Sequence, residues 1–450
     1  MPETQDSDCM MSGLERIRQA ARRDGKMRFT SLLHHVTVGM LEDAYRSLKR
    51  TASAGVDGVT WAEYGEALAS RLTDLYGRVQ GGRYRALPSK RAWIPKADGT
   101  KRPLGIAALE DKIVQLAVSW VLQAIFEEDF VGFSYGFRPG RSQHHALDAV
   151  WMGITQRKVN WIVDADIRGF FDAIDHGWMM KFLEHRIADP RILRLLRQWL
   201  RAGVSEDGTW TPSTVGTPQG AVISPLLANI YLHHVLDLWM KWWRSRDGVG
   251  ETIIIRYADD FVVGFQHKTD AERFLHDLRE RLERFALEFH PDKTRLIEFG
   301  RFAKSNRAKR DEGKPETFNF LGFTHRCAER RSDGSFTVVR TTMVKRLGAS
   351  VQRIGQGLMQ NRMLPIADQG RWVGSVVRGW LNYHAVPGNS MAINKFRDRV
   401  IEAWRRALRR RSQMAVRGTT WQVMRNLAER FIPEARIIHP YPNQRLSVIT

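Results

Sequence analysis

Residues 251–265 read ETIIIRYADDFVVGF. The runs TIIIRY and FVVGF have strand length and apolar character, and they flank Ala258-Asp259, so the pattern predicts a β-hairpin carrying Asp259 and Asp260 at its tip. Aspartate is a favoured turn residue, and turn chemistry alone is one reading of the pair. A second stretch argues against it. In VNWIVDADIRGFFDAID, residues 159–175, the apolar strand WIV runs out at Asp166, which sits among Asp164, Asp172 and Asp175. Two adjacent strands that each end in aspartate on one sheet edge would bring Asp166, Asp259 and Asp260 together. Like charges that close are unfavourable unless a cation neutralises them. Oxygen ligands with open positions suit Mg²⁺, which binds one or two carboxylates together with substrate phosphates. A pair of such ions about 4 Å apart can activate a hydroxyl and steady a leaving group.

The rest of the chain agrees with a phosphate-handling role. Its 450 residues suggest two or three domains, and 43% hydrophobic with 26% charged residues is a globular composition. Lys and Arg number 70 against 49 Asp and Glu, a formal charge of +21, and the pI is near 10.3. That excess attracts a polyanion, most commonly nucleic acid. No 18-residue apolar stretch occurs, and the N-terminus lacks a basic segment followed by an apolar one. The expectation is a soluble cytoplasmic chain with no membrane partner. Cys9 and Cys327 are far apart, which argues against a disulfide framework or zinc site. The pairs His34-His35, His144-His145 and His233-His234 read as surface or packing residues, since neighbours on a helix face different ways.

Residues 12–50 read as basic helices, and RAWIPKADGTKRPLGI (91–106) as a basic hairpin with an Ala-Asp-Gly turn. Helices are expected over 110–126, after 175 and over 270–289, and 213–237 reads as a Gly- and Pro-broken loop that runs into a long helix. RFAKSNRAKRDEGKPET (301–317) reads as an exposed loop and FNFLGFTHR (318–326) as a last strand. Strands pair locally, so the fold class expected is α+β, a sheet with helices on one face. From Arg340 to Arg411 there are fifteen Lys/Arg against Asp368, Asp398 and Glu402, a net of +12. Trp372, Val373, Val376, Val377, Trp380 and Leu381 recur there at helical spacing, which predicts a helical domain with a basic face. Trp372, Trp380 and Tyr383 read as its core. Arg353, Arg378, Arg397, Arg399, Arg405, Arg406, Arg409 and Arg410 read as contacts to RNA phosphates.

At this point a resemblance can be named. Tyr257-Ala258-Asp259-Asp260 resembles the Y-x-D-D signature of reverse transcriptases, and ADIRGFFDAIDH resembles their first catalytic motif. GTPQGAVISPLLANIYL resembles the loop and helix of the Pro-Gln-Gly signature. IPKADGTKRPLGI, SYGFRPGRSQHHAL and FNFLGF resemble further blocks of the group II intron branch, and VVRGWLNYHAV its maturase (X, or thumb) domain. FIPEARIIHPYPNQRL resembles the short endings of class C members. One short string is weak; six ordered blocks are specific. The resemblance implies a right-hand polymerase fold, fingers and palm with antiparallel sheet, followed by an all-α thumb. Residues 1–110 would be N-terminal extension and fingers, 111–330 the remaining fingers and palm, 340–415 the thumb/maturase domain, and 416–450 a short tail.

The resemblance further implies Asp166 and Asp259 as metal-bridging ligands and Asp260 as the third carboxylate, with two Mg²⁺ ions or Mn²⁺ in their place. Asp164, Asp172 and Asp175 are spare acids. Phe171 matches the steric gate that excludes a ribose 2′-hydroxyl, and Phe170 reads as core. Lys96 and Arg102 would grip the triphosphate, with Lys101 a solvated neighbour. Gln219 and Gly220 would lie against nucleotide and template, and Lys293 would protonate pyrophosphate. The implied partners are structured intron RNA, an RNA template with DNA primer, deoxynucleotides and target DNA, with a homodimer left open. No endonuclease pattern follows residue 411, so second-strand cleavage is not expected. Three readings compete with intron mobility and splicing. They are a free-standing relative used in defence, spacer acquisition or repair, a splicing cofactor without polymerase activity, and an RNA polymerase, which Phe171 opposes.

Overall fold

The computed structural model describes residues 3–95, 101–217, 220–291 and 293–445, with side chains from residue 12 onward except Pro95. β1 (Ser89–Pro95) and β2 (Lys101–Ile106) form the basic hairpin, with register Ile94↔Arg102. The turn expected at 97–99 lies outside the described residues. β3 (Trp161–Ala165) opens the second sheet, while β4 (Val204–Glu206) and β5 (Thr209–Thr211) extend the first, giving the order β2-β1-β4-β5. β6 (Thr252–Tyr257), β7 (Asp260–Phe265) and β8 (Arg295–Glu298) join β3 in the order β6-β7-β3-β8, every pair antiparallel. The β-branched runs Ile253-Ile254-Ile255 and Val262-Val263 favour this pleated surface.

Both faces of that second sheet are covered, which corrects the expectation of helices on one face only. Alternate residues divide cleanly: Val163, Phe261, Val263 and Phe265 enter one apolar cluster, Ile162, Ile255, Val262 and Ile297 the other. The first face packs against a large helical layer that includes the helix Leu109–Asp129, buried nearly all round. The second is closed by the helix Gln143–Gln156 and by a third sheet. That third sheet corrects two further expectations. The stretch read as one strand is β9 (Phe318–Phe320) and β10 (Phe323–Glu329), joined by Leu321 and Gly322 at φ 46° and 84°, with β11 (Phe336–Thr342) beyond. The preceding loop contains a helix, Ala303–Lys309.

Arg340, counted above among the fifteen Lys/Arg of the basic stretch, lies buried in β11 and is paired with Asp148 at 2.7 Å. The basic helices begin at Val344. Val344–Gln360, Ile366–His384 and Ser390–Arg409 enclose a cluster of their own around Val373, Val377, Phe396 and Trp404. The long helix after the Gly- and Pro-broken loop is interrupted by a π-helical turn, His233–Asp237, between Ser224–Leu232 and Leu238–Arg246. No described helix is long and apolar enough to cross a membrane.

Candidate active site

The Tyr257↔Asp260 pair closes the β6–β7 hairpin and leaves Ala258-Asp259 as a two-residue loop. Such loops demand positive φ, and Ala258 adopts 57° without glycine's freedom. A non-glycine residue there carries strain of about 1 kcal/mol or more, which surrounding structure must over-determine. Here it does. The Arg256 guanidinium donates to the Ala258 carbonyl at 3.0 Å and to Asn229 Oδ1 at 3.0 Å. Its other edge grips Asp237 at 2.7 and 2.5 Å. Asn229 in turn donates to the Gly136 carbonyl at 2.7 Å. Gly136 lies so close that a Cβ would stand 2.3 Å from the Ala258 nitrogen. Arg256 and Asp237 are fully buried. Sequence reading missed this brace, although its signal was present: one arginine in an isoleucine strand, and Asn229 and Asp237 on an otherwise apolar helix.

β3 runs beside β7 with Ala165 opposite Phe261. The next residue, Asp166, therefore leaves the strand beside Asp260, at the edge where the hairpin turns. Burial first, then the charges of Asp259, Asp166 and Asp164, push the Asp260 carboxyl up to about 7, with Lys293 pulling the other way. Asp260 still reaches solvent, so the site is open on one side. Asp259 is raised too, by burial and then by Asp166, with Arg102 and Arg256 opposing. Lys293 meets Asp166 Oδ2 at 2.5 Å, and Arg295 meets Asp164 at 3.2 Å. Among the described residues no group of three or more acids, imidazoles or thiols could by itself hold a metal ion. The donor set nonetheless fits Mg²⁺, which needs only one or two carboxylates and completes its shell with phosphate oxygens and water. Burial first and mutual repulsion second raise the Asp259 and Asp260 carboxyls, and a divalent ion would relieve the repulsion.

The remaining candidates divide. Arg102 is exposed on β2 and bears on Asp259. Lys101 is exposed beside it. Gly220, at φ 107°, lies against β2, where a Cβ would meet Leu104 at 2.8 Å and the Gly105 carbonyl at 3.0 Å. Lys96 and Gln219 lie outside the described residues. Phe170 is core, while Phe171 is half-buried, edge-on to Phe170 with centroids 5.4 Å apart. Asp175 caps the helix His176–Glu184 by accepting from Trp178 N at 2.8 Å. A cleft of about 500 Å³ beside the turn is lined by Tyr257, Asp259, Asp260, Leu321, Arg346 and Tyr383. Arg346 was not anticipated.

Among the eight arginines, Arg353, Arg378, Arg399, Arg406 and Arg410 are exposed, and Arg409 is half-buried. Two turn inward. Arg397 donates to the Pro433 carbonyl at 3.1 Å, and Arg405 to that of Thr419 at 3.2 Å while lying over Trp421. Trp380 stacks on Phe396 with centroids 3.6 Å apart, whereas Trp372 is 39% exposed, so the core reading holds for the first and only partly for the second.

Residues 94–325 match the family model described as reverse transcriptase (RNA-dependent DNA polymerase). The chain belongs to the reverse transcriptase family. Protein YkfC of Escherichia coli is 34% identical over 358 residues, 71% of this chain and 89% of that protein. The group II intron-encoded protein LtrA of Lactococcus lactis is 34% identical over 241 residues, 52% of this chain but 40% of LtrA. The putative COX1/OXI3 intron 1 protein of Saccharomyces cerevisiae is 32% identical over 209 residues, 45% of this chain and 24% of that protein. The match thus spans well under half the length of the intron-encoded relatives. Both of these relatives are named as intron-encoded proteins.

Proposed function

We propose that this reverse transcriptase binds a group II intron RNA, assists its splicing and copies it into DNA. The observation that carries the reading is the meeting of Asp166, at the exit of β3, with the Tyr257–Asp260 turn at one sheet edge. The reading assigns a right-hand arrangement: N-terminal extension and fingers over 1–110, the remaining fingers and palm over 111–330, thumb/maturase over 340–415 and a tail over 416–450. The relatives named for introns favour splicing and mobility over a free-standing role in defence or repair.

Phosphoryl transfer asks the protein chiefly for position and charge. Asp166 and Asp259, with Asp260 beside them, would hold the divalent ions; when bound, these neutralise phosphate charge and make the primer hydroxyl a better nucleophile. The primer 3′-hydroxyl attacks the α-phosphate and pyrophosphate leaves. Arg102 and Lys96 would grip the triphosphate. Phe171 closes the space that a 2′-hydroxyl would need. Gly220 and Gln219 let the backbone approach the nucleotide. Lys293, which pairs with Asp166 at 2.5 Å, would donate a proton to pyrophosphate. The exposed arginines of the basic helices take RNA phosphates. Deoxynucleotides, target DNA and a second copy of the chain belong to the same reading. RNA-templated primer extension tests it. Asp259→Ala should abolish DNA synthesis and leave RNA binding intact; undiminished synthesis would overturn the assignment.

A further inference from the structure

The stretch 438–445 lies across the seam between the second sheet's covering helix and the basic helices. Backbone nitrogens of Ile438 and His439 donate to the Ala385 carbonyl at 3.1 and 3.2 Å, just past the end of the helix Ile366–His384. His439 Nε2 donates to the Asn382 carbonyl at 2.7 Å, and its ring lies 3.9 Å from His144 on the helix Gln143–Gln156. His144 continues to Tyr383, with centroids 5.3 Å apart, and Tyr383 to Phe323 at 5.7 Å. Six residues on, Arg445 meets Asp148 at 3.3 Å, which Arg340 of β11 already holds at 2.7 Å. Asp148 is 1% exposed, so the ion pairs are shielded from solvent on its side. Pro442 is buried between these anchors.

The chain neighbours of two residues that this stretch contacts, His144 and Asn382, face the catalytic cleft. Gln143, next to His144, lines it and reaches the Tyr257 hydroxyl. Tyr383 lines it too, and its hydroxyl donates to the Leu321 carbonyl in the β9–β10 turn at 2.6 Å. We propose that His439 and Arg445 are positioning residues: they bind the helix Gln143–Gln156 to the helix Ile366–His384 and so fix the wall of the cleft along which the primer strand emerges. The inference rests on the polymerase reading for what the cleft holds, but the mechanical coupling stands apart from it. A close ring contact and a shielded ion pair resist the opening of this seam, and each nucleotide added must slide duplex past it without release. Loss of the strap should therefore shorten the run per binding event and spare the chemical step.

The test compares the full chain with His439→Ala, Arg445→Ala and Arg445→Lys on an RNA template with annealed DNA primer. Single-nucleotide addition at saturating primer–template should stay within about two-fold of the parent. Run length under a heparin trap should fall about ten-fold for the alanine variants, equivalent to about 1.4 kcal/mol, and Arg445→Lys should recover most of it. Amide exchange over 143–156 and 318–323 should quicken in parallel. An unchanged run length with unchanged exchange would overturn the proposal. A parent chain that extends no primer would refute the polymerase reading, and exchange alone would then decide the strap. His439 is half-buried, so its alanine variant keeps the test decisive should Arg445→Ala fail to fold.

Discussion

The Arg256 guanidinium donates to the carbonyl of Ala258 at 3.0 Å, two residues further along the same chain. That bond ties the left-handed residue of the Tyr257–Asp260 turn to a fully buried ion pair with Asp237. Burial holds the Asp237 carboxyl above its ordinary range against the pull of Arg256. Taking away one partner of such a pair strands the other in a dry interior. Asp237→Ala should lower unfolding free energy by about 3–5 kcal/mol, read by denaturant melts, and should reduce primer extension more than RNA binding. A loss below about 1 kcal/mol would mean that the brace carries little.

Phe171 lies half-buried beside the core residue Phe170, and its carbonyl accepts from Thr217 N at 2.8 Å, so its backbone is tied to the loop that leads to Gly220. Phe171→Ala should raise the ratio of ribonucleotide to deoxynucleotide incorporation by roughly ten-fold or more, since the ring acts by exclusion. Competition between the two nucleotides on one template measures it. An unaltered ratio would remove the gate.

Salt dependence separates the arginines exposed to solvent, with Arg406 in a surface pair with Glu402 at 3.1 Å, from those held by backbone carbonyls. Arg399, Arg406 and Arg410 are exposed, while Arg397 and Arg405 hold the Pro433 and Thr419 carbonyls. Each phosphate contact contributes about 0.7–0.9 to the slope of log affinity against log salt. Replacing the exposed three with glutamine should flatten that slope by roughly two. Arg397→Gln and Arg405→Gln should instead lower the melting temperature and leave the slope nearly as it was. A triple variant with an undiminished slope would place the RNA on another face.

Acid should weaken the fold through buried imidazoles. Burial first, then Arg340, pushes His325 down to about 3, and it stacks on Phe318 with centroids 4.6 Å apart. Neither ring nitrogen has a well-aligned partner, and the Phe320 backbone assists only weakly. His144, His233 and His234 are likewise near 3 and His384 near 4, each chiefly through burial. The unfolded chain takes up protons on these groups near pH 6.5 and the folded chain does not, so their contribution is complete above that pH and is lost as pH falls toward 3. Asp111 and Asp129, held near 6 chiefly by burial, act with the opposite sign, so one variant is more telling than the whole curve. His325→Phe should reduce the slope of stability between pH 6 and 4 by up to about 1.4 kcal/mol per pH unit. A slope equal to the parent's would show that His325 does not titrate with unfolding.

Much of this was legible in the residues, for definite reasons. The β6–β7 hairpin and β3 announce themselves because apolar runs of strand length meet aspartate at their ends. What escaped was whatever depends on partners distant in sequence. Arg256 finds Asp237, Asn229 and Ala258 only once the helix carrying two of them packs under the sheet. Arg340 reads as one more cation in a basic stretch until β11 sets it against Asp148, 192 residues away. The helix Ala303–Lys309 reads as loop in the sequence because seven residues give too few turns for an apolar face to show. The tail reads as a short ending by resemblance alone; HPYPNQR has no periodicity to reveal a role that comes from what it lies across.

The most direct measurement is diffraction, at the manganese edge, from the full chain with primer–template and a non-hydrolysable deoxynucleotide in Mn²⁺. The account predicts an anomalous peak within about 2.0–2.3 Å of a carboxylate oxygen of both Asp166 and Asp259, with the Lys293 ammonium withdrawn from Asp166. A peak touching only one of the two aspartates, or none between them, would contradict it.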